Sequence, residues 1–316
     1  MDAYMKEPLI SILIPCYNNQ VFIYALLRSI FEQTYHNIEI LIRDDMSASF
    51  SVEKLIEWVR YYKPKDFGRV VISRNDENLG MVANMERLQQ DSKGKYLFHI
   101  AADDVLYDCT VMQRFVEELE RLSELGQEPE AIIAQVEMWD HDIKVKQSDF
   151  IPEEIINLIK VQDYAGIFAL CASKPLLPAQ YLYHRSVKEK IGKLSDLYCL
   201  IEDWPSILRM TRMGIRLSYM DGLPSVKRRH GGISHVNALQ SKRTFIRYYK
   251  ELIEVYYNEV EPYEDILSLE DRETARQYAI DRTNELLLCH IPALRKQEKE
   301  SLVPVAQTPE MVLDPA

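Results

Sequence analysis

Two adjacent carboxylates, Asp103 and Asp104, close the stretch Gly94-Lys-Tyr-Leu-Phe-His-Ile-Ala-Ala-Asp-Asp-Val-Leu106. Tyr96 to Ala101 is mostly apolar with an aromatic bias, and Lys93-Gly94 precedes it as a turn signal. Such a run reads as a central strand of a parallel sheet. Ligands of open α/β sheets bind at the carboxyl ends of the strands. Two carboxylates there would repel each other without a cation between them. A divalent metal carrying a phosphate is the natural occupant, since hard oxygen ligands suit magnesium or manganese. By themselves the two residues equally fit a solvated turn or a helix N-cap. Glu202-Asp203 precedes a helical stretch. It fits a base at a cleft, and equally carboxylates favoured by the positive end of a helix dipole.

Other chemistry-bearing residues follow other strand-like runs. Tyr17 offers an aromatic face for a base. Asp44 and Asp45 offer carboxylates for base or ribose hydrogen bonds, and Arg74 offers a cation for phosphate. Together with the Asp pair these make a nucleotide site by residue type. Late in the chain, Val226-Lys-Arg-Arg-His-Gly-Gly-Ile-Ser234 is a basic stretch read as a loop. His230 there suits three roles: a manganese ligand, a phosphate contact or a loop cap. Lys227, Arg228 and Arg229 would offset a diphosphate charge, meet a lipid-diphosphate acceptor, or form a solvated basic turn.

The elements that position these residues alternate. Strands are expected at 9–15, 37–42, 69–73 and 96–101, and helices at 22–33, 52–62, 81–90 and 108–125. Strand–helix alternation with crossovers of this length predicts a parallel, right-handed, doubly wound sheet. A further strand is expected at 131–138, and a helix near 153–160. A strand at 181–183, a helix at 186–191 and a helix at 206–213 with Gly214 at its cap complete the middle of the chain. A strand at 215–219 and helices at 244–260 and 269–288 follow. The last fifteen residues, with three prolines, read as a poorly ordered tail. No Gly-x-Gly-x-x-Gly follows the first strand and no Walker loop occurs, so ordinary dinucleotide or P-loop binding is a poor match.

The 316 residues carry a net charge of -11, with 47% hydrophobic and 28% charged residues. That is a globular composition, and its acidity disfavours a general nucleic-acid binder. Five scattered cysteines without a Cys-x-x-Cys pair argue against a disulfide framework or zinc cluster and fit a reducing cytoplasm. The N-terminus does not read as a signal peptide and no apolar run is long enough to span a bilayer. Peripheral contact with the inner face of a membrane stays open.

Six segments in order resemble family 2 glycosyltransferases of the GT-A fold. They are Ser11-Ile-Leu-Ile-Pro-Cys-Tyr-Asn-Asn19, Ile42-Arg-Asp-Asp-Met-Ser47, Arg74 with Asn78-x-Gly80, Ala101-Ala-Asp-Asp104, Glu202-Asp203-Trp204 and His230-Gly-Gly-x-Ser234. The last is similar to the late loop of bacterial polysaccharide members. The likeness covers about residues 8 to 236. Met46 stands where the family usually has Gly, and Ala102 where the longer acidic motif has its first carboxylate.

The resemblance implies a mixed, mostly parallel GT-A-like α/β sheet flanked by helices over residues 5–236. A helical extension over 237–300 and a disordered tail over 301–316 would follow. It implies that Pro15 and Tyr17 flank the nucleobase, with Asp45, helped by Asp44, accepting from the base. Arg74 would lie near base or phosphate, Asp103 on the ribose, and Asp104 and His230 on Mn2+ or Mg2+. Asp203 would be the general base of an inverting transfer from a nucleotide-sugar donor, a UDP-sugar first, to a saccharide acceptor. That acceptor would be lipid-diphosphate-linked, in surface polysaccharide assembly. The C-terminal helices would form the interface of any homo-oligomer. Two other classes share these features: a sugar nucleotidyltransferase, which would not need Asp203 as base, and a non-catalytic nucleotide-sugar or glycan-binding module, to which Ala102 lends some support.

Overall fold

The computed structural model of the chain describes residues 7–230 and 242–301, with the side chains of the second stretch described over 243–287. Gly231 to Ser234 of the late motif, the boundary at 235–241 and the tail from 302 therefore lie outside the described residues. So do residues 5 and 6.

The first half alternates as the apolar periodicity dictates. It runs β1 (Ile10–Cys16), α1 (Ile23–Phe31), β2 (Ile38–Asp44), α2 (Val52–Tyr62), β3 (Val70–Arg74), α3 (Met81–Asp91) and β4 (Tyr96–His99). The short β5 (Val105–Leu106) precedes α4 (Val111–Glu124). β1 and β2 are buried almost throughout. Glu39 is tolerated inside β2 because its carboxylate accepts from Ser11 Oγ, from the Lys93 and Gly94 N–H groups and from Arg69.

The second half supplies β6 (Ala131–Ala134), β7 (Val136–Trp139), β8 (Lys146–Asp149), α5 (Glu153–Lys160), α6 (Tyr164–Ala172), β9 (Tyr181–His184) and α7 (Ser186–Ile191). Then come α8 (Asp203–Arg212), β10 (Leu217–Met220), β11 (Val226–Arg229), α9 (Lys242–Val255) and α10 (Leu269–Ser301). Among the described residues the main sheet has the order β10-β6-β9-β4-β1-β2-β3, and a smaller sheet the order β5-β11-β7-β8. β9 runs antiparallel to both β4 and β6, while the other main-sheet pairings are parallel. The doubly wound parallel expectation thus holds through β4 and is broken by β9. The overall class is the mixed, mostly parallel α/β sheet of the GT-A fold, with C-terminal helices.

Several expected boundaries are corrected. The single strand at 131–138 is two strands, one in each sheet. The chain changes sheets at Gln135, whose side chain accepts from the Val136 and Ile151 N–H groups and donates to Ile151 O. The basic loop at 226–234 begins as strand β11, paired with β5 and β7. The helix expected from Ser206 starts at Asp203. Pro205 lies in its first turn, where no partner awaits its missing N–H. The helix expected at 244–260 ends at Val255 and passes into a π-helical turn over Tyr256–Val260. α10 runs beyond the expected Leu288 to Ser301. α6 was not foreseen: Tyr-Ala-Gly-Ile-Phe-Ala-Leu-Cys-Ala has no polar stripe, because the helix is packed among α5, α8 and α10.

Leu252, Val255, Tyr256, Val260, Leu267, Ala275 and Ala279 are buried in the same cluster as Leu13, Leu97 and Ile207. The C-terminal helices are therefore built into the core of the sheet domain. Among the described residues no helix is long and apolar enough to cross a membrane.

Candidate active site

The carboxyl ends of β1, β2, β3 and β4 lie along one edge of the sheet. β1 and β2 hand over to loops that are stitched together. Asp45 N–H donates to Cys16 O at 2.8 Å, and Asn18 N–H donates to Ser47 Oγ at 2.8 Å. Tyr17 and Met46 sit between these bonded positions and so stand opposite each other. Both are about half exposed, at 51% and 49%. Met46 holds a φ of 65°, the left-handed conformation that glycine adopts at no steric cost. Pro15 is buried in β1, beyond the last residue that pairs with β4, where a missing N–H costs no ladder bond.

Both carboxylates at the end of β2 turn inward. Asp44 accepts from Ser47 N–H at 2.9 Å and from Ser47 Oγ at 2.5 Å, and meets Arg74 Nε at 3.3 Å. Asp45 accepts from Asn75 Nδ2 at 2.9 Å, Leu79 N–H at 2.9 Å and Gly80 N–H at 2.8 Å. Arg74 also donates to Ser47 O and Phe50 O. These three residues therefore fold the loops at this end of the sheet. Gly80 has φ +87°, and a Cβ there would lie 2.1 Å from Cys199 Sγ and 2.8 Å from Cys199 O. The loop before α3 and the loop leading to Asp203 are thus in direct contact.

Asp103 and Asp104 lie in the turn after β4, closed by Asp104 N–H to Ala101 O at 3.1 Å. Asp104 is 2% exposed and accepts from Gln180 Nε2 at 2.9 Å and Arg229 N–H at 3.0 Å. Arg229 Nε donates to Asp103 O at 2.9 Å. Because β9 is antiparallel, its start brings Gln180, the residue before it, to the same edge as the Asp pair. Burial and the neighbouring Asp103 charge push the Asp104 carboxyl well above the ordinary range, against the pull of Arg228. Among the described residues no three His, Cys, Asp or Glu side chains already form a metal cluster. The donor set nevertheless fits a hard divalent cation: two adjacent carboxylates carry excess negative charge, and Asp104 keeps lone pairs beyond its two hydrogen bonds. His230 follows β11 directly, with its N–H on Trp139 O at 3.0 Å and its side chain exposed.

α8 presents Glu202 and Asp203 at its amino end. Trp204 anchors that end, donating from Nε1 to Cys171 O at 2.7 Å from a buried position. Burial raises the carboxyls of both Glu202 and Asp203, and for Glu202 the Asp203 charge raises it further. Arg228 opposes these shifts in both residues and acts on Asp104 as well. One guanidinium on β11 therefore stands within electrostatic reach of both acidic motifs, which lie about one hundred residues apart in the chain.

Two residues of this site, Gln180 and His99, escaped the sequence reading, and the role of a third, Arg228, stayed merged with its neighbours'. Gln180 follows an unremarkable Pro-Ala and gave no signal. His99 is a polar residue inside an apolar strand, which is a signal. Arg228 was one of three cations whose separate roles only the pairing of β11 distinguishes. Lys227 lies over the rings of Tyr107 and Trp139, Arg228 over Phe150 and Arg229 over Phe22.

Residues 11–170 match the family described as "Glycosyl transferase family 2". An "Uncharacterized glycosyltransferase" of Haemophilus influenzae is 22% identical over 283 residues, covering 89% of this chain and 83% of that one. The Escherichia coli "UDP-Glc:alpha-D-GlcNAc-diphosphoundecaprenol beta-1,3-glucosyltransferase WfaP" is 34% identical over 96 residues, 30% of this chain and 36% of that one. Among solved structures, "Mannosyltransferase PcManGT from Pyrobaculum calidifontis in complex with GDP-Man and Mn2+" superposes with a TM-score of 0.56 at 14% identity. It covers 95% of this chain and 82% of that one.

Proposed function

Because the chain belongs to glycosyl transferase family 2, we propose that its edge of carboxylates transfers a sugar, with inversion, from a nucleotide-sugar to an acceptor hydroxyl. The observation that carries this reading is that buried Asp104, in the turn after β4, and Asp203, at the amino end of α8, both lie within electrostatic reach of Arg228 on β11. The WfaP relative, named for UDP-Glc and a diphosphoundecaprenol-linked acceptor, supports a UDP-sugar and a lipid-diphosphate-linked saccharide in surface polysaccharide assembly. A lipid-linked acceptor would place this work at the inner face of a membrane.

Tyr17 stacks on the nucleobase beside Pro15, and Asp45, already held by three donors, keeps a lone pair for a base N–H. Asp44 and Arg74 hold the loop that carries it, and Asp103 takes the ribose. Asp104, with His230 just after β11, would hold Mn2+ or Mg2+, which offsets the charge of the departing diphosphate. Asp203 takes the proton of the acceptor hydroxyl as its oxygen attacks the anomeric carbon. The bond from that carbon to the diphosphate oxygen breaks, and its electron pair leaves with the nucleoside diphosphate. Burial raises the Asp203 carboxyl toward working pH, the direction that makes a better base.

The test is release of nucleoside diphosphate from UDP-, GDP- and TDP-sugars with manganese or with chelator. Water stands in where the acceptor is missing. Metal-dependent release from one donor supports the reading and names the sugar. The absence of both release and nucleotide binding with every donor would overturn it.

A further inference from the structure

We propose that His99 is a positioning residue for Asp203, acting through Glu202; the inference rests on the transferase reading above. His99 is the last residue of β4 and is 7% exposed. A polar ring in the middle of a sheet costs free energy unless it has a partner. Its Nδ1 lies 3.5 Å from Glu202 Oε1, at the outer edge of hydrogen-bond distance. Its Nε2 is buried with no hydrogen-bond partner among the described residues. An apolar residue would fill that place at no such cost, so the imidazole is there for Glu202.

The two residues share a small cavity of about 20 Å³ that Gln89, Tyr181, Tyr183, Lys188 and Asp203 also line. Glu202 precedes α8 and makes no side-chain cap to it. Its carboxyl takes a hydrogen bond from its own backbone N–H and faces His99 Nδ1 from the sheet side. Glu202 and Asp203 are adjacent, so fixing one side chain in the cavity fixes where the backbone aims the other. The charged and titratable groups around the ring come from every packed element: Glu202 and Asp203 from α8, Lys188 from α7, Arg228 from β11, and Tyr181 and Tyr183 from β9. Burial, then Arg228 and Lys188, hold the imidazole pKa down at about 3. The ring is therefore neutral near neutral pH and acts by hydrogen bonding, as a fixed post rather than a charge.

The experiment compares His99→Phe and His99→Gln with the wild-type full chain on its donor, with thermal midpoints measured alongside. The Phe variant fills the space and removes the polar contact. We expect its kcat to fall roughly 10- to 100-fold, the scale on which misplacement of a catalytic group acts, with donor KM and nucleotide Kd unchanged. The Gln variant keeps a polar atom toward Glu202 and should recover most of the rate. Wild-type kcat in His99→Phe overturns the inference. So does equal loss in both variants that follows a lowered midpoint, which would leave His99 a core residue. A wild-type chain without turnover or nucleotide binding overturns the functional reading itself. Turnover abolished by Asp203→Asn but untouched by His99→Phe overturns only the positioning role.

Discussion

Replacing Asp45 should cost stability before it costs chemistry. Its buried carboxylate accepts from Asn75 Nδ2, Leu79 N–H and Gly80 N–H. In Asp45→Ala the Leu79 and Gly80 N–H groups lose their acceptor, and of the two N–H groups of Asn75 Nδ2 only the one on Asn84 Oδ1 keeps its partner. Asn75 and Gly80 are buried and Leu79 is partly exposed, so water replaces only the last. Each buried orphan costs about 1–3 kcal/mol, which gives ~4 kcal/mol for the two. Asp45→Asn keeps one acceptor oxygen for Asn75 and Leu79 but turns an NH2 toward the Gly80 N–H, so about 1–3 kcal/mol is expected. For a chain of this length each kcal/mol moves the thermal midpoint by about 2 °C, so the Ala variant should melt ~8 °C lower. Urea unfolding and thermal melts would be read together with nucleotide binding. Two variants as stable as wild type, with only nucleotide affinity lost, would refute the clamp and leave Asp45 a ligand contact alone.

Three further outcomes follow from the same geometry. The carboxyl of Asp203 is raised by burial, and the base must be ionised, so kcat should climb with pH through a limb above the usual carboxylate range. Arg228→Gln removes the charge that lowers this carboxyl, so the limb should move to still higher pH; a pH–rate profile unchanged by the substitution would contradict the assignment. Gly80→Ala adds a Cβ 2.8 Å from Cys199 O at a φ of +87°. It should destabilise by about 1–3 kcal/mol, and Cys199→Ala in the same chain should restore only part in urea titrations, because the backbone oxygen stays. Met46→Gly removes a left-handed strain of about 1–2 kcal/mol against the added chain entropy of glycine. A midpoint equal to or slightly above wild type is expected, with weaker nucleotide binding by calorimetry if the side chain faces the base.

The first half of the fold was legible because each element obeys its own period. β1, β2 and β4 are short, largely apolar runs, and α2 has Ser51 accepting from Lys54 N–H as its cap. The second half was less so, for physical reasons. α6 is apolar all round, so no stripe betrays a helix. The switch of sheets at Gln135 depends on hydrogen bonds from one side chain to a segment sixteen residues away. β11 is a strand because β5 and β7 flank it, although Val-Lys-Arg-Arg reads as a surface loop. In the site, the acidic motifs were visible as pairs of like charge. Their companions were not: Gln180 reaches Asp104 only because β9 is antiparallel, and His99 meets Glu202 only when α8 is laid over β4. The sequence also could not distinguish a carboxylate that binds ligand from one that folds its own loop. Asp44 and Asp45 visibly do the second.

The most direct measurement is turnover by Asp203→Asn, on whichever donor the wild type uses, beside calorimetric binding of the nucleoside diphosphate. Asparagine keeps the shape of the side chain and removes the base. The account predicts a fall in kcat of about two to four orders of magnitude with nucleotide affinity unchanged. Turnover close to wild type would contradict it and take the base away from the amino end of α8.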